Sequence, residues 1–253
     1  MINRHPIVQS FLMDAEGNSS RHRGQVLEKI RNILKLAGIP EQELNKKRDE
    51  VYQTKRLEIL RLMHVSINVT GDRAIQLIKS GELSKSQPTN IYSILHRKNA
   101  EQCFGCTQSE TPIYGALNLK SSRGAAPLFS PNIWLQLVSS DIYERITLTA
   151  RDSYNITLSF LADFEINRGK QALRSEIYTW DTIPEYFLNR FWDIQEVETT
   201  SYIEAQIWGG VFMKNIKIFH IKKSFVDEFL KALEIVTSAE NFALVKNRIV
   251  TYD

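Results

Sequence analysis

Met63-His64-Val65-Ser66-Ile67-Asn68-Val69-Thr70 alternates apolar and polar residues in period two. Side chains leave alternate faces of a strand, so this run reads as a half-buried β-strand with His64, Ser66 and Asn68 sharing one face. Upstream the period is different. Val26, Leu27, Ile30, Ile33, Leu34 and Leu36 recur at helical spacing, and Gly38 with Pro40 stops the helix. A second helix is expected from Glu41 to Leu62. The change of period at Met63 divides the chain into an N-terminal helical region, residues 1–62, and a strand-rich body, residues 63–253.

Residues 1–23 read as polar and broken, with a loop-like run from Asp14 to Ser20. Beyond the first strand, Asp72 to Ser80 reads as a short helix closed by Gly81, and Ile91 to Arg97 as a short helical turn. Ser84 to Asn90 is a polar loop. Strands are expected at Ile113–Leu119, Trp134–Val138, Arg145–Ala150, Tyr202–Trp208 and Ile216–Ile221, then a helix over Ser224–Thr237. Helices first and strands afterwards argue an α+β fold rather than a regular βαβ sheet.

The 253 residues are 43% hydrophobic and 24% charged, the balance of an ordinary globular chain. The 32 Lys and Arg nearly cancel the 29 Asp and Glu, and a net charge of +3 is too small to demand nucleic acid. Residues 1–61 carry twelve Lys and Arg against eight Asp and Glu, a solvated helix face or a docking surface for an acidic partner. Cys103 and Cys106 form a single CxxC in a run that reads as a loop. It lacks the further ligands a structural zinc site needs, so two incidental thiols are expected. No apolar run is long enough for a membrane span, and the first residues carry no apolar core of the signal-peptide type. A P-loop, a GxGxxG, an HExxH and a GxSxG are all missing.

The sharpest constellation is Ser201-Tyr-Ile-Glu-Ala-Gln-Ile-Trp-Gly-Gly210. In a strand Tyr202, Glu204 and Gln206 share one face, while Ile203, Ala205 and Ile207 fill the other. The face is either exposed, or it lines a cleft where Glu204 accepts a hydrogen bond from a ligand hydroxyl and stabilises cationic charge nearby. The second description fits ADP-ribosyl transfer, in which the nicotinamide–ribose bond breaks through an oxocarbenium-like state. That chemistry needs no metal. Tyr114 is the best-placed aromatic residue to stack on nicotinamide, and the Arg145 guanidinium suits a diphosphate. Asp152 and Ser153 read as a turn beyond a strand end. Of the tryptophans, Trp208 beside Gly209-Gly210 is the one placed to line a cleft, and Trp134, Trp180 and Trp192 read as core.

The stretch from about Leu62 to Phe225 resembles a little-characterised bacterial domain family. The resemblance is carried by Pro112-Ile-Tyr-Gly-Ala-Leu-Asn-Leu119, Ala126-Pro-Leu-Phe129, Arg145-Ile-Thr-Leu-Thr-Ala-Arg-Asp-Ser153 and Tyr202-Ile-Glu-Ala-Gln-Ile-Trp-Gly209, in that order. Ser86-Gln87 and Phe104-Gly105 are weaker matches. The Glu-x-Gln strand is similar to the E-x-E or Q-x-E strand of mono-ADP-ribosyltransferases. His64, Tyr114 and Glu204 follow the order of the H-Y-E arrangement of diphtheria toxin and the poly-ADP-ribose polymerases, although Val65 stands where that class has Gly. What the resemblance implies is a mostly antiparallel β-sandwich of ADP-ribosyltransferase type with an N-terminal helical extension. It also implies a monomer that uses NAD as substrate, without a metal.

In that comparison Glu204 or Gln206 takes the catalytic glutamate's place, and only Glu204 carries a charge. His64 or Asn68 is the expected ligand of the adenosine-side ribose. Tyr114, Gly115 and Arg145 complete the NAD contacts, and Gln206 with Tyr202 positions the acceptor. The family implies a bacterial effector, made in the bacterial cytoplasm and delivered to a host cell without a cleavable signal peptide. Its acceptor is a host protein, with a threonine of ubiquitin as the candidate. Two other classes compete. One is a nuclease in which Asp152, Glu204 and Gln206 hold a divalent metal. The other is a protein-binding module without turnover.

Overall fold

The computed structural model describes residues 4–85, 91–107, 110–119, 131–151, 153, 156, 165–190 and 203–253. Three helices lead: α1 (Pro6–Ser10), α2 (Leu12–Leu36) and α3 (Glu41–Leu62). There follow β1 (His64–Val69), α4 (Gly71–Ser80), α5 (Ile91–Phe104), β2 (Ile113–Asn118), β3 (Ile133–Leu137), α6 (Ser139–Ile142) and β4 (Ile146–Thr149). Then come α7 (Ile166–Arg174), β5 (Ile177–Tyr178), α8 (Pro184–Arg190), β6 (Ile203–Ile207) and β7 (Ile216–Lys222). The chain ends with α9 (Val226–Val236), α10 (Ala239–Lys246) and β8 (Ile249–Tyr252). The fold is α+β. No helix among the described residues is long and apolar enough to cross a membrane.

Local signals explain some of the boundaries. Thr70 caps α4 by accepting from the Arg73 amide at 3.4 Å, and Gly81 ends it in the left-handed region at φ 80°. Two expectations are corrected. The helix expected from Gln25 begins at Leu12 and absorbs the run from Asp14 to Ser20. Asn18, buried there, donates to the carbonyls of Arg174 and Ile177 at 2.8 and 2.9 Å, so tertiary contacts override the weak local propensity of Gly17, Ser19 and Ser20. The turn expected at Ile91–Arg97 continues to Phe104, which places Cys103 in a helix rather than a loop.

The eight strands form one sheet in the order β5-β4-β6-β2-β1-β3-β7-β8. Neighbours pair antiparallel, except β7 with β8, which run parallel. The expected mostly antiparallel sandwich is therefore corrected to a single mixed sheet. The parallel pair arises because α9 and α10 carry the chain from β7 back to its starting end before β8 enters.

Period two gives the sheet an apolar and a polar face. Val65, Ile67, Ile113, Leu117, Ile133, Leu135, Leu148, Ile203, Ala205, Ile207, Phe219 and Ile221 pack into one core with Val26 and Ile30 of α2, Tyr52 and Ile59 of α3, Leu77 of α4, and Phe229 of α9. The helical front thus lies in the sheet's own core. Between α3 and α8, buried Glu185 accepts from Tyr52 Oη at 2.5 Å and from Arg56 Nε at 2.9 Å. Arg31, Lys35, Lys47, Arg48 and Lys55 of the basic front each pair with a nearby acid. A second core of Val8, Phe11, Cys103, Phe104, Leu173, Ile177 and Trp208 lies against the β4–β6 end of the polar face.

Candidate active site

Three neighbouring strands carry the predicted triad on one face of the sheet. His64 is on β1, Tyr114 on β2 and Glu204 on β6, in the sheet order β6-β2-β1. The register sets their spacing. Ala116 faces Glu204 on one side and Ser66 on the other, while Tyr114 faces Gln206 and His64 faces Asn118. Cross-strand partners share a face, so His64, Ser66, Asn68, Tyr114, Glu204 and Gln206 all leave the same side of the sheet. Tyr114 and Glu204 are diagonal neighbours across the β2–β6 pair.

The sheet parts inside this group. Pairing of β1 with β2 runs from His64–Asn118 to Ser66–Ala116 and stops. Beyond that point β1 stays paired to β3 as far as Val69, and β2 to β6 back to Ile113. Asn68 and Tyr114 would be partners if the ladder continued, and they stand where it has opened. Gly115 sits at the parting, where a Cβ would come 2.6 Å from the Ser66 carbonyl oxygen. Its contribution is this close crossing of two backbones.

Glu204 is 5% exposed, so the carboxylate is not a surface group. Its Oε1 accepts from the Ser153 amide at 3.2 Å, from the Ser153 hydroxyl and from Gln206 Nε2 at 2.6 Å. His64 is buried, and its Nδ1 lies 3.3 Å from the Leu62 carbonyl, which can only accept. Burial holds its pKa below the ordinary value, with Lys217 adding to the effect. With Nδ1 donating to the Leu62 carbonyl, Nε2 of the neutral form presents a lone pair. That buried Nε2, and the buried hydroxyl of Tyr114, have no hydrogen-bond partner among the described residues. The phenol is held well above its usual range by burial and then by the Glu204 and Glu101 charges. The Arg97 guanidinium stands 4.9 Å from the centre of the Tyr114 ring.

Two expected contacts have other roles. Arg145 Nη1 donates to the carbonyls of Trp208, at 2.8 Å, and of Gly210, and its Nη2 donates to Asn215 Oδ1 at 3.1 Å. It ties the end of β4 to the Gly209-Gly210 turn, whose residues have φ of 73° and 82°. Gln206, expected to reach an acceptor, is fully buried and spends its carboxamide within the protein. Its Oε1 accepts from Thr147 at 3.0 Å, and its Nε2 donates to Thr149 at 3.1 Å as well as to Glu204. Tyr202 and Asp152 lie outside the described residues, as do Trp192, Ser86-Gln87 and the run from Ala126 to Phe129.

The sequence reading passed over Thr147 and Thr149, yet the signal was present. Arg145-Ile-Thr-Leu-Thr149 alternates, and the register places Thr147 opposite Gln206 and Thr149 opposite Glu204. It also missed a row further along the polar face. His220 stacks on Trp134 with ring centres 3.4 Å apart and planes within 3°, and its Nε2 lies 3.1 Å from Gln136 Oε1. Burial pushes the thiol of Cys106 up to about 12, with Glu101 and Glu110 adding to it, and raises that of Cys103. Neither is a ready nucleophile. Among the described residues no group of three or more His, Cys, Asp or Glu could hold a metal ion. Comparison with protein-family models and with curated proteins gives no match for this chain.

Proposed function

We propose that the chain is a mono-ADP-ribosyltransferase that cleaves NAD at the nicotinamide–ribose bond and transfers ADP-ribose to a host protein. The observation that carries this reading is the placement of His64, Tyr114 and Glu204 on one face of three adjacent strands, with Tyr114 and Glu204 diagonal neighbours beside the parting of the sheet and His64 at the end still paired. In this reading the sheet is the core of an ADP-ribosyltransferase-type domain with the helical front laid on its apolar face.

The donor and acceptor inventory suits a sugar. Glu204 offers a carboxylate in a site with little water, where it attracts the positive charge that grows on ribose as nicotinamide leaves. His64 Nε2 offers a lone pair for a second hydroxyl. On β2, the strand between theirs, Tyr114 adds a buried ring and hydroxyl diagonal to Glu204. A ribose hydroxyl is a donor that such acceptors can take up. The acceptor class, a threonine of ubiquitin, comes from the family resemblance.

The test uses the full chain with NAD and a host lysate, following nicotinamide release and a mass gain of one ADP-ribose on protein. Glu204→Gln keeps the shape of the side chain and removes its charge, so turnover should fall about 100-fold or more while the melting curve is retained. Undiminished turnover in that variant would sink the assignment.

A further inference from the structure

We infer that Trp208, Thr147 and Gln206 form a one-way hydrogen-bond relay that orients the Glu204 carboxylate, with Ser153 closing it from the other side. Resting on the reading of Glu204 as the residue that grips the ribose, the relay makes Gln206 a positioning residue instead of an acceptor contact.

The direction follows from what each group can do. An indole N–H only donates. Trp208 Nε1 gives its proton to Thr147 Oγ1 at 3.0 Å, so the threonine's own proton is turned toward Gln206 Oε1, 3.0 Å away. That choice decides which end of the carboxamide is oxygen. Its amino group then faces Thr149 Oγ1 at 3.1 Å and Glu204 Oε1 at 2.6 Å. With the amide flipped, its oxygen would meet the carboxylate oxygen at 2.6 Å as acceptor against acceptor. The far end agrees, because Ser153 also approaches the same oxygen with donors, its amide and its hydroxyl. Thr147, Thr149, Gln206 and Trp208 are all fully buried, so no bulk water competes for these bonds.

The start of the relay is anchored too. The Trp208 amide donates to the Arg145 carbonyl at 2.9 Å, and its carbonyl accepts from Arg145 Nη1 at 2.8 Å. The indole packs edge-on to Phe104 with ring centres 5.5 Å apart, and stacks with His5 at 6.0 Å. A carboxylate held this way has its angle fixed before a sugar arrives, which is where orientation contributes to rate.

Thr147→Val keeps the shape and deletes the relay hydroxyl, and Thr147→Ser restores it. Steady-state kinetics with NAD should show kcat down about tenfold or more in Thr147→Val with KM within about twofold, and recovery of most of that loss in Thr147→Ser. A readout independent of turnover is proton exchange of the Gln206 side-chain amide and the Trp208 indole, followed by NMR. Both should exchange at least about 100-fold more slowly than exposed groups in the wild-type chain. The Gln206 amide should lose that protection in Thr147→Val and keep it in Thr147→Ser. Fast exchange in the wild type overturns the relay even if the valine variant does not fold. So does a valine variant with wild-type kcat, while a KM effect confined to the protein acceptor would return Gln206 to acceptor positioning. Loss of the NAD reading through Glu204→Gln is distinguishable, since it would leave the exchange pattern intact.

Discussion

At Gly115 a single hydrogen in place of a methyl group lets β2 cross β1, because a Cβ would lie 2.6 Å from the backbone oxygen of Ser66. A backbone oxygen in a paired strand cannot swing aside as a side chain can. Gly115→Ala should therefore destabilise the fold by about 1–3 kcal/mol, read as a lower urea midpoint with an unchanged slope. Some residue roles were legible in the sequence. Alternation alone put Glu204 and Gln206 on one face, and the structure keeps them there, 2.6 Å apart. The hydrogen bonds that occupy Gln206 were not legible, since they depend on β4 being the strand beside β6. His220 shows a further residue-scale consequence. Burial pushes its pKa down to about 4 from an ordinary 6.5, and the His64 ring nearby acts in the same direction. The unfolded chain then takes up a proton near pH 6.5, and the folded one refuses it until near pH 4. Stability is highest above that window, falls as the pH drops through it, and levels below, for a total on the order of 3 kcal/mol. Denaturation midpoints measured from pH 7 to 4 should show this slope, and His220→Gln should make it shallower, with His64, His22 and His5, whose pKa values burial also lowers, supplying the remainder.

Strands and helices were read from the chain with uneven success, and the reason is physical. Periodic segments such as α4 and β1 lie where periodicity put them, because Ala74, Leu77 and Ile78 of the one and Val65, Ile67 and Val69 of the other are buried in the core. The start of α2 was misplaced because Gly17, Ser19 and Ser20 are weak helix formers, while the bonds of Asn18 to the α7–β5 corner are invisible locally. β5 and β8 are too short to carry a pattern. They exist because β4 and β7 offer them a paired edge. The order of the sheet was equally hidden. β6 comes late in the chain and inserts between β4 and β2, and this insertion brings Glu204 beside Tyr114 and Thr149. The candidate site is therefore a product of long-range pairing, although β1 and β6 announce themselves by alternation.

At the scale of the whole molecule, the change of period at Met63 is a change of element and not a boundary between cores. Val26, Ile30 and Ile59 are buried with the strand residues that line the apolar face. Each such side chain contributes about 1.5–3 kcal/mol on burial, so these three alone supply roughly 5–9 kcal/mol. A domain is stable by only about 5–15 kcal/mol in total, so the strand-rich part has no margin to lose them. Removing residues 1–62 would also strip Tyr52 and Arg56 from Glu185, leaving a buried carboxylate without its donors on α3. It would further take Val8 and Phe11 from the second core, where Trp208 begins the chain of bonds that ends at Glu204. A chain of residues 63–253 should show no cooperative melting transition and should expose apolar surface to a dye such as ANS. Should that fragment melt cooperatively and turn over NAD at the rate of the full chain, the helices would be an appendage and the single-core account would fail.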